Sequence, residues 1–389
     1  MLNKTEFYNH LKNDLIPFWD NLYDTEYGGF YGSVNSDNLI NKTASKSAVL
    51  QTRLLWYYSS CYKALQDIKL LEHAHRQFEF ISKYMLDPAD GGVYWSVEHD
   101  GKVRESQKHT YALAFALYSL SAYYSVSKNT AAFNAANRIF NLIETNFKDE
   151  YGYFEPYDFD SHIKFNNHFD SGNKTTRTMN TLLHIIEAYA EYYQAVQTEE
   201  ARKALEYSIN LVIDKAYNEN QHRIECYFDE FMNPTGNLLS YGHDIESSWL
   251  IYRACEVLRN QDIINNLSPK LEKVAKNVIS KGFVDEGRNG MYYDCKNGVE
   301  NPTRSWWVMA EAIVALVHQY NLYGDNKSMV LAENFWNYVK KCYISPYGEW
   351  YSRVTDNGEP VKSSDGLCGP WKCPYHNGRM CLEMMKILP

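Results

Sequence analysis

Apolar positions along this chain fall into two alternating patterns. In the first, Leu11, Leu15, Phe18 and Leu22 follow at steps of four, three and four, the single buried stripe of a surface helix. In the second, "AVLQTRLLWYYSSCYKAL" (48–65), "HTYALAFALYSLSAYY" (109–124) and "SWWVMAEAIVALVHQY" (305–320) are apolar nearly all round, as helices shielded from solvent are. Surface-type helices are predicted near 4–22, 71–86, 129–147, 199–217, 263–281 and 326–344. Buried-type helices are predicted near 44–65, 106–125, 175–196, 244–258, 303–322 and 376–388.

Between each outer helix and the following inner one lies a short aromatic stretch with turn residues. These are "YGGFYGSV" from Tyr27, "DGGVYWSV" from Asp90, "EYGYFEPY" from Glu150, "HRIECYFDE" from His222, "NGMYYD" from Asn289 and "YGEWYSRV" from Tyr347. Their glycines Gly29, Gly92, Gly152, Gly290 and Gly348 are 63, 60, 138 and 58 residues apart, and the copy without glycine falls midway in the long gap. One unit is therefore repeated six times, each with one short β-hairpin. Twelve alternating helices in six pairs predict an all-α fold, an (α/α)6 barrel or toroid whose inner helices enclose a cavity with the hairpins at its mouth. No Pro- or Gly-rich linker divides the chain, so residues 1–389 are expected to form a single domain.

The terminal segment "WKCPYHNGRMCLE" (371–383) introduces the sixth inner helix, which must dock beside the first to close the ring. Closure alone requires only apolar residues, yet polar groups stand near the start of every inner helix: Arg53, His109 with Tyr111, Asn180 with His184, His243 with Glu246, Trp307 with Glu311, and His376. If these helices all run the same way, the groups converge on one rim of the cavity. In "SYGHDIESSW", Asp244 is the expected N-cap, with His243 just ahead of the helix and Glu246 in its first turn. The positive end of the helix dipole favours a neutral imidazole there, the form a general base needs. Pro374 sets the start of the last helix beside His376, and Trp371 and Trp307 offer faces for stacking a sugar ring. Trp307 and Glu311, one turn apart, suit stacking a ring and bonding its hydroxyls, and core packing fits Trp306 better.

Composition narrows the chemistry further. With 33 Tyr and 9 Trp the chain is rich in side chains that pair an apolar face with a polar edge, as a wet, sugar-stacking pocket requires. A formal charge of −9 without a basic run argues against nucleic acid. The first 19 residues resemble neither a signal peptide nor a membrane span, and eight cysteines without a CxxC pair fit free thiols, so a cytoplasmic protein with no membrane or nucleic-acid partner is expected. A metal site would recruit His184, His243, Glu246 and His376, but no HExxH or paired-His signature supports one.

"QTRLLW", "KHTYALAFALY", "TMNTLLHIIEAY", "SYGHDIE", "WWVMAE" and above all "WKCPYHNGRMCLE" resemble the cellobiose 2-epimerases of the N-acylglucosamine 2-epimerase superfamily, over essentially the whole chain. The resemblance implies an (α/α)6 barrel and reversible C2 epimerisation of the reducing-end glucose of cellobiose, lactose or a related disaccharide such as β-1,4-mannobiose. It implies no cofactor or metal. By motif, His243 and His376 become the acid/base pair and His184 a supporting third. Arg53, Tyr111, Asn180, Glu246, Trp307, Glu311 and Trp371 match sugar-contacting positions. Where the family often carries Lys before "TMN", this chain has Arg177, a planar fork in place of a point charge. The loop at 160–175 is individual and leaves substrate preference open. Within the superfamily, an N-acylglucosamine 2-epimerase or a monosaccharide aldose–ketose isomerase is the alternative. Outside it stand a glycoside hydrolase using Glu246 and Glu311 and a non-enzymatic sugar-binding protein.

Overall fold

A computed structural model describes residues 2–155, 157, 158, 163, 164, 175–284 and 290–388. Among them are twelve helices. The outer set comprises α1 (residues 4–20), α3 (68–85), α5 (Thr130–Asn146), α7 (199–216), α9 (Gln261–Gly282) and α11 (Asn326–Cys342). The inner set comprises α2 (Ala48–Leu65), α4 (Thr110–Ser127), α6 (Met179–Val196), α8 (Tyr241–Leu258), α10 (Trp306–Tyr323) and α12 (Tyr375–Ile387). Each inner helix packs against the next, and α12 packs against both α10 and α2, so the ring closes as the repeat count requires. Burial follows the two apolar patterns: α4 is buried on all sides from Thr110 to Tyr123, whereas α5 buries one stripe formed by Ala132, Ala136, Ile139, Phe140 and Ile143. The individual loop at 160–175 lies almost entirely outside the described residues.

A hairpin follows every outer helix. Tyr23 bridges Phe30, Leu86 bridges Val93 and Ile344 bridges Trp350. The other three pair Lys148–Asp149 with Gly152–Tyr153, Tyr217–Asn218 with Arg223–Ile224, and Phe283–Val284 with Gly290–Met291. The copy without glycine places His222 at φ 49°, a left-handed conformation that histidine adopts more readily than most residues. Its ring is held there by a 3.0 Å hydrogen bond with Tyr217.

Several inner helices start a few residues later than periodicity suggests, because their leading residues are extended. Lys46–Ser47, Arg177–Thr178 and Arg304–Ser305 form strands that pair with the loop of the following repeat, stitching the rim together. The same lead carries a buried cation that clamps the preceding hairpin. Lys46 donates to Asp24 at 2.7 Å, Lys108 to Asp87 at 2.8 Å, Arg177 to Asp149 at 2.6 Å and Lys372 to Glu349 at 2.8 Å. Arg177 uses its fork to reach the Gly152 and Glu230 carbonyls as well. The departure from lysine therefore serves the hairpin, and Arg177 is absent from the cavity wall.

The last of these clamps, in the sixth repeat, also closes the ring. Glu349, fully buried, accepts hydrogen bonds from Trp19 of α1 at 2.5 Å, from Lys372 and from Asn377 of α12 at 2.6 Å. Gly378 lets α12 approach α2, since a Cβ there would lie 2.6 Å from the Tyr57 ring. Replacing Glu349 by Ala would take the acceptor away from the buried Lys372 charge and from three further buried donors, Trp19, Asn377 and the Trp350 backbone N–H. Chemical denaturation should then show a loss of about 3–5 kcal/mol; an unchanged midpoint would contradict the closure role.

Candidate active site

Because all inner helices begin at the hairpin rim, residues in their first two turns face one another. Tyr111, Asn180, Trp307 and His376 are second in their helices, His243 is third, and Arg53, His184 and Glu246 are sixth. Together with Trp371 they line a cavity of about 560 Å³, within the usual size for a small-molecule site. Of the groups expected to converge here, all but Glu311 and His109 are on this wall. The His109 ring packs on Trp95 instead, with centroids 4.0 Å apart. Trp306, expected in the core, does line the cavity, beside Trp307.

The α8 helix begins three residues earlier than expected. Ser240, not Asp244, is the N-cap, accepting from the His243 backbone N–H at 3.4 Å. Asp244 instead accepts from the Ile224 N–H of the fourth hairpin at 2.9 Å. His243 thus sits inside the first turn, with its Nδ1 2.8 Å from Ser240 Oγ. Burial, with His184 adding to it, pulls the His243 imidazole down to about 3. Neutrality was expected from the helix dipole; burial is the larger cause.

His376 is held differently. Its Nδ1 lies 2.6 Å from Glu311 Oε1. With Nδ1–H donating to that carboxylate, Nε2 keeps the lone pair. Burial, then the nearby Arg53 and Arg379 cations, hold this imidazole well below its ordinary value. Both rings meet the same indole: Trp307 is 5.0 Å from His243 and 5.5 Å from His376. Gly242 makes this possible, because a Cβ there would fall 2.2 Å from the Trp307 ring. His184, the third imidazole, has Nδ1 3.1 Å from Glu187 Oε2. Arg53 donates to the Tyr111 hydroxyl at 2.8 Å and to the Trp371 carbonyl at 3.3 Å, tying three parts of the wall together.

Glu311 stands behind His376 and does not reach the cavity; its second oxygen accepts from Trp249 Nε1 at 3.0 Å. Glu246 does line the cavity, and burial, reinforced by the neighbouring Glu311, pushes its carboxyl up to about 7. It can therefore hold a proton near neutral pH. Sequence reasoning missed Arg379, Glu187 and Tyr375, which lie beneath the wall. Arg379 is three residues beyond His376 and on the same helical face, a spacing that could have flagged it. Among the described residues one trio, Glu246, Glu311 and His376, brings potential metal-ligating atoms within 4.8 Å of one another. The trio differs from the set expected for a metal, and Arg379 Nη2 already donates to Glu246 at 2.5 Å and to Glu311 at 2.7 Å. A cation there would have to displace a guanidinium.

Fold and site define an (α/α)6 toroid with a cavity equipped for acid–base chemistry on a polar, stackable ligand. The family model of N-acylglucosamine 2-epimerase matches residues 29–376. A cellobiose 2-epimerase of Ruminococcus albus is 39% identical over 384 residues, 98% of each chain. Among solved structures, a sugar epimerase from a ruminal bacterium superposes with a TM-score of 0.94 at 37% identity, covering 98% of both chains. The cellobiose 2-epimerase of Bacillus thermoamylovorans gives 0.93 at 34%, again over 98% of both. The chain belongs to the N-acylglucosamine 2-epimerase family.

The depressed imidazole of His243 has a pH consequence. In the unfolded chain it binds a proton near pH 6.5, in the folded protein only near pH 3, so the unfolded state takes up more protons between these values. Its contribution to stability is complete above about pH 6.5 and is lost as pH falls toward 3. Imidazole NMR should show His243 neutral throughout pH 8 to 5, and a titration midpoint near 6.5 would contradict the assignment.

Proposed function

We propose that this chain is a cellobiose 2-epimerase, an isomerase that reversibly inverts C2 of the reducing-end glucose of β-1,4-linked disaccharides, taking cellobiose to glucosyl-mannose and lactose to epilactose. The observation that carries the reading is the pair of buried imidazoles, His243 and His376, at one indole on the wall of a cavity roomy enough for a small sugar, where burial disfavours their charged form. A neutral imidazole can accept a proton, and C2 inversion needs one group to remove it and another to return it.

The cyclic sugar has no acidic C2 proton, so the ring opens first. The anomeric hydroxyl gives up its proton, the C1–O5 bond breaks and O5 is protonated, with His376 placed to relay that proton. The resulting aldehyde acidifies C2–H. One imidazole takes this proton, leaving a cis-enediolate; Arg53 and the helix N-termini at the rim supply positive potential for its oxygens, and His184 a nearby polar ring. The second imidazole, once it has taken up a proton from solvent, returns that proton to the opposite face of C2, rotation about C2–C3 presenting that face; the first releases the abstracted proton to solvent, and the ring closes. Trp371 and Trp307 offer stacking surfaces, and Tyr111, Asn180 and Glu246 offer polar contacts to hydroxyls.

The arrangement is unfavourable for a glycoside hydrolase. That chemistry needs two carboxylates flanking the scissile bond, about 5–10 Å apart, whereas Glu246 and Glu311 share one guanidinium nitrogen and Glu311 is behind the wall. An aldose–ketose isomerase would use the same enediolate but return the proton to C1.

Purified protein, freed of metal by chelation, should convert cellobiose to glucosyl-mannose. His243→Ala and His376→Ala should each lower kcat by about 10²–10⁴-fold while keeping the wild-type unfolding midpoint. Turnover retained in both variants would sink the assignment of the acid/base pair. Free glucose as the product would point to hydrolysis.

A further inference from the structure

Arg379 is buried in α12, below the sugar cavity, and is absent from its wall. Its fork has two arms. Nη1 donates to Glu187 Oε1 at 2.6 Å, and Glu187 Oε2 in turn meets His184 Nδ1 at 3.1 Å. Nη2 donates to Glu311 Oε1 at 2.7 Å, the oxygen that receives His376 Nδ1 at 2.6 Å, and to Glu246 Oε1 at 2.5 Å. Each arm thus holds one carboxylate that orients one imidazole. Tyr375 fills the space between, its hydroxyl bonded to both Arg379 and Glu187. The guanidinium lies over the Tyr375 ring at 4.2 Å and the Trp249 ring at 4.9 Å.

The electrostatics show why a fork is needed. Against the opposing effect of burial, Arg379 and His184 hold Glu187 down to about 2, so it stays ionised. Glu246 and Glu311 are both raised by burial, and Arg379 opposes this at each. Without it, two adjacent buried carboxyls would take up a proton, and a protonated Glu311 need not accept from His376 Nδ1. A lysine would supply charge at one point and could not span three carboxylates with fixed geometry.

We propose that Arg379 is a positioning residue for the epimerase reaction, a single guanidinium that fixes His184 and His376 together through Glu187 and Glu311. The proposal rests on the epimerase reading for its kinetic consequence, but the orientation of the imidazoles can be measured without substrate.

Access for a test comes from the other end of the toroid. Arg379 and Glu187 line a second cavity of about 470 Å³, walled also by Trp56, Tyr118 and Trp249, toward the C-terminal ends of the inner helices. In Arg379→Ala, guanidinium ion can enter from that side and occupy the vacated position. The expected result is a kcat about 10–100-fold below wild type with KM moving less than kcat, since Arg379 does not line the sugar cavity and reaches it only through Glu246. The acid limb of the kcat profile should move to higher pH as Glu246 and Glu311 protonate more readily. Millimolar guanidinium should restore both, and methylammonium should not.

Nitrogen NMR of the imidazoles, with His376 assigned by its loss in His376→Ala, should show Nδ1–H in the wild type and a mixture of tautomers in Arg379→Ala. Arg379→Lys keeps the charge and much of the bulk if the alanine variant does not fold, and should show the same fall in kcat and the same mixing. A folded variant of either kind with wild-type kcat and an unaltered His376 signal would overturn the proposal. So would an activity loss with unchanged tautomer and no guanidinium rescue, which would mark Arg379 as packing alone. A wild-type protein that leaves cellobiose unchanged would defeat the epimerase reading, while the tautomer comparison would still decide the role of Arg379.

Discussion

Everything in this structure depends on six inner helices starting at the same rim, and the interaction that enforces this recurs just ahead of them. A buried cation, Lys46, Lys108, Arg177 or Lys372, reaches an acidic residue of the hairpin that precedes its helix. Removing one partner of such a pair strands a charge in the interior, so hairpin and helix start cannot easily part. The fourth repeat has Leu239 at the corresponding place, and there Asp244 binds the hairpin backbone from within the helix. At the seam between last and first repeats the clamp gains Trp19 and Asn377 around Glu349. Ring closure and cavity wall are therefore built from the same short terminal segment.

That economy explains how the site obtains its chemistry. Side chains in the first two turns of inner helices are forced inward, away from water, and burial, with neighbouring charges adding to it, disfavours the charged form of His243 and His376. The two are nonetheless unlike. His243 is held by a hydroxyl, Ser240, and His376 by a carboxylate, Glu311, which favours a charged imidazolium more than a hydroxyl does. In the proposed inversion, which requires removal on one face and return on the other, this difference would provide a donor and an acceptor from two residues of one type. The carboxylates in turn are held by a buried arginine, so in the proposed reaction the order of support runs from Arg379 to Glu311 to His376 to substrate.

Much of this was legible in the chain. Apolar periodicity distinguished inner from outer helices, and aromatic turns located all six hairpins, because both signals are local. The rim residues could be placed because a repeat fixes their phase. What failed was whatever depends on competition between neighbours. Ser240 and Asp244 are both good caps, and only the Ile224 N–H, twenty residues upstream, decides between them. Glu311 sits one turn from Trp307 and reads as a second sugar contact, yet its oxygens are taken by Arg379, His376 and Trp249. Arg379 itself was overlooked since an arginine in a final helix usually faces solvent, and only the closed ring buries it.

The central claim is that C2 of the reducing sugar exchanges its proton with groups on the cavity wall through an enediolate. The most direct measurement is to run the reaction with cellobiose in D2O and follow the reducing-end ring by NMR. The account predicts deuterium at C2 of the glucosyl-mannose formed, with C1 retaining its hydrogen. Product that keeps protium at C2 throughout, or deuterium appearing at C1 in place of C2, would contradict it.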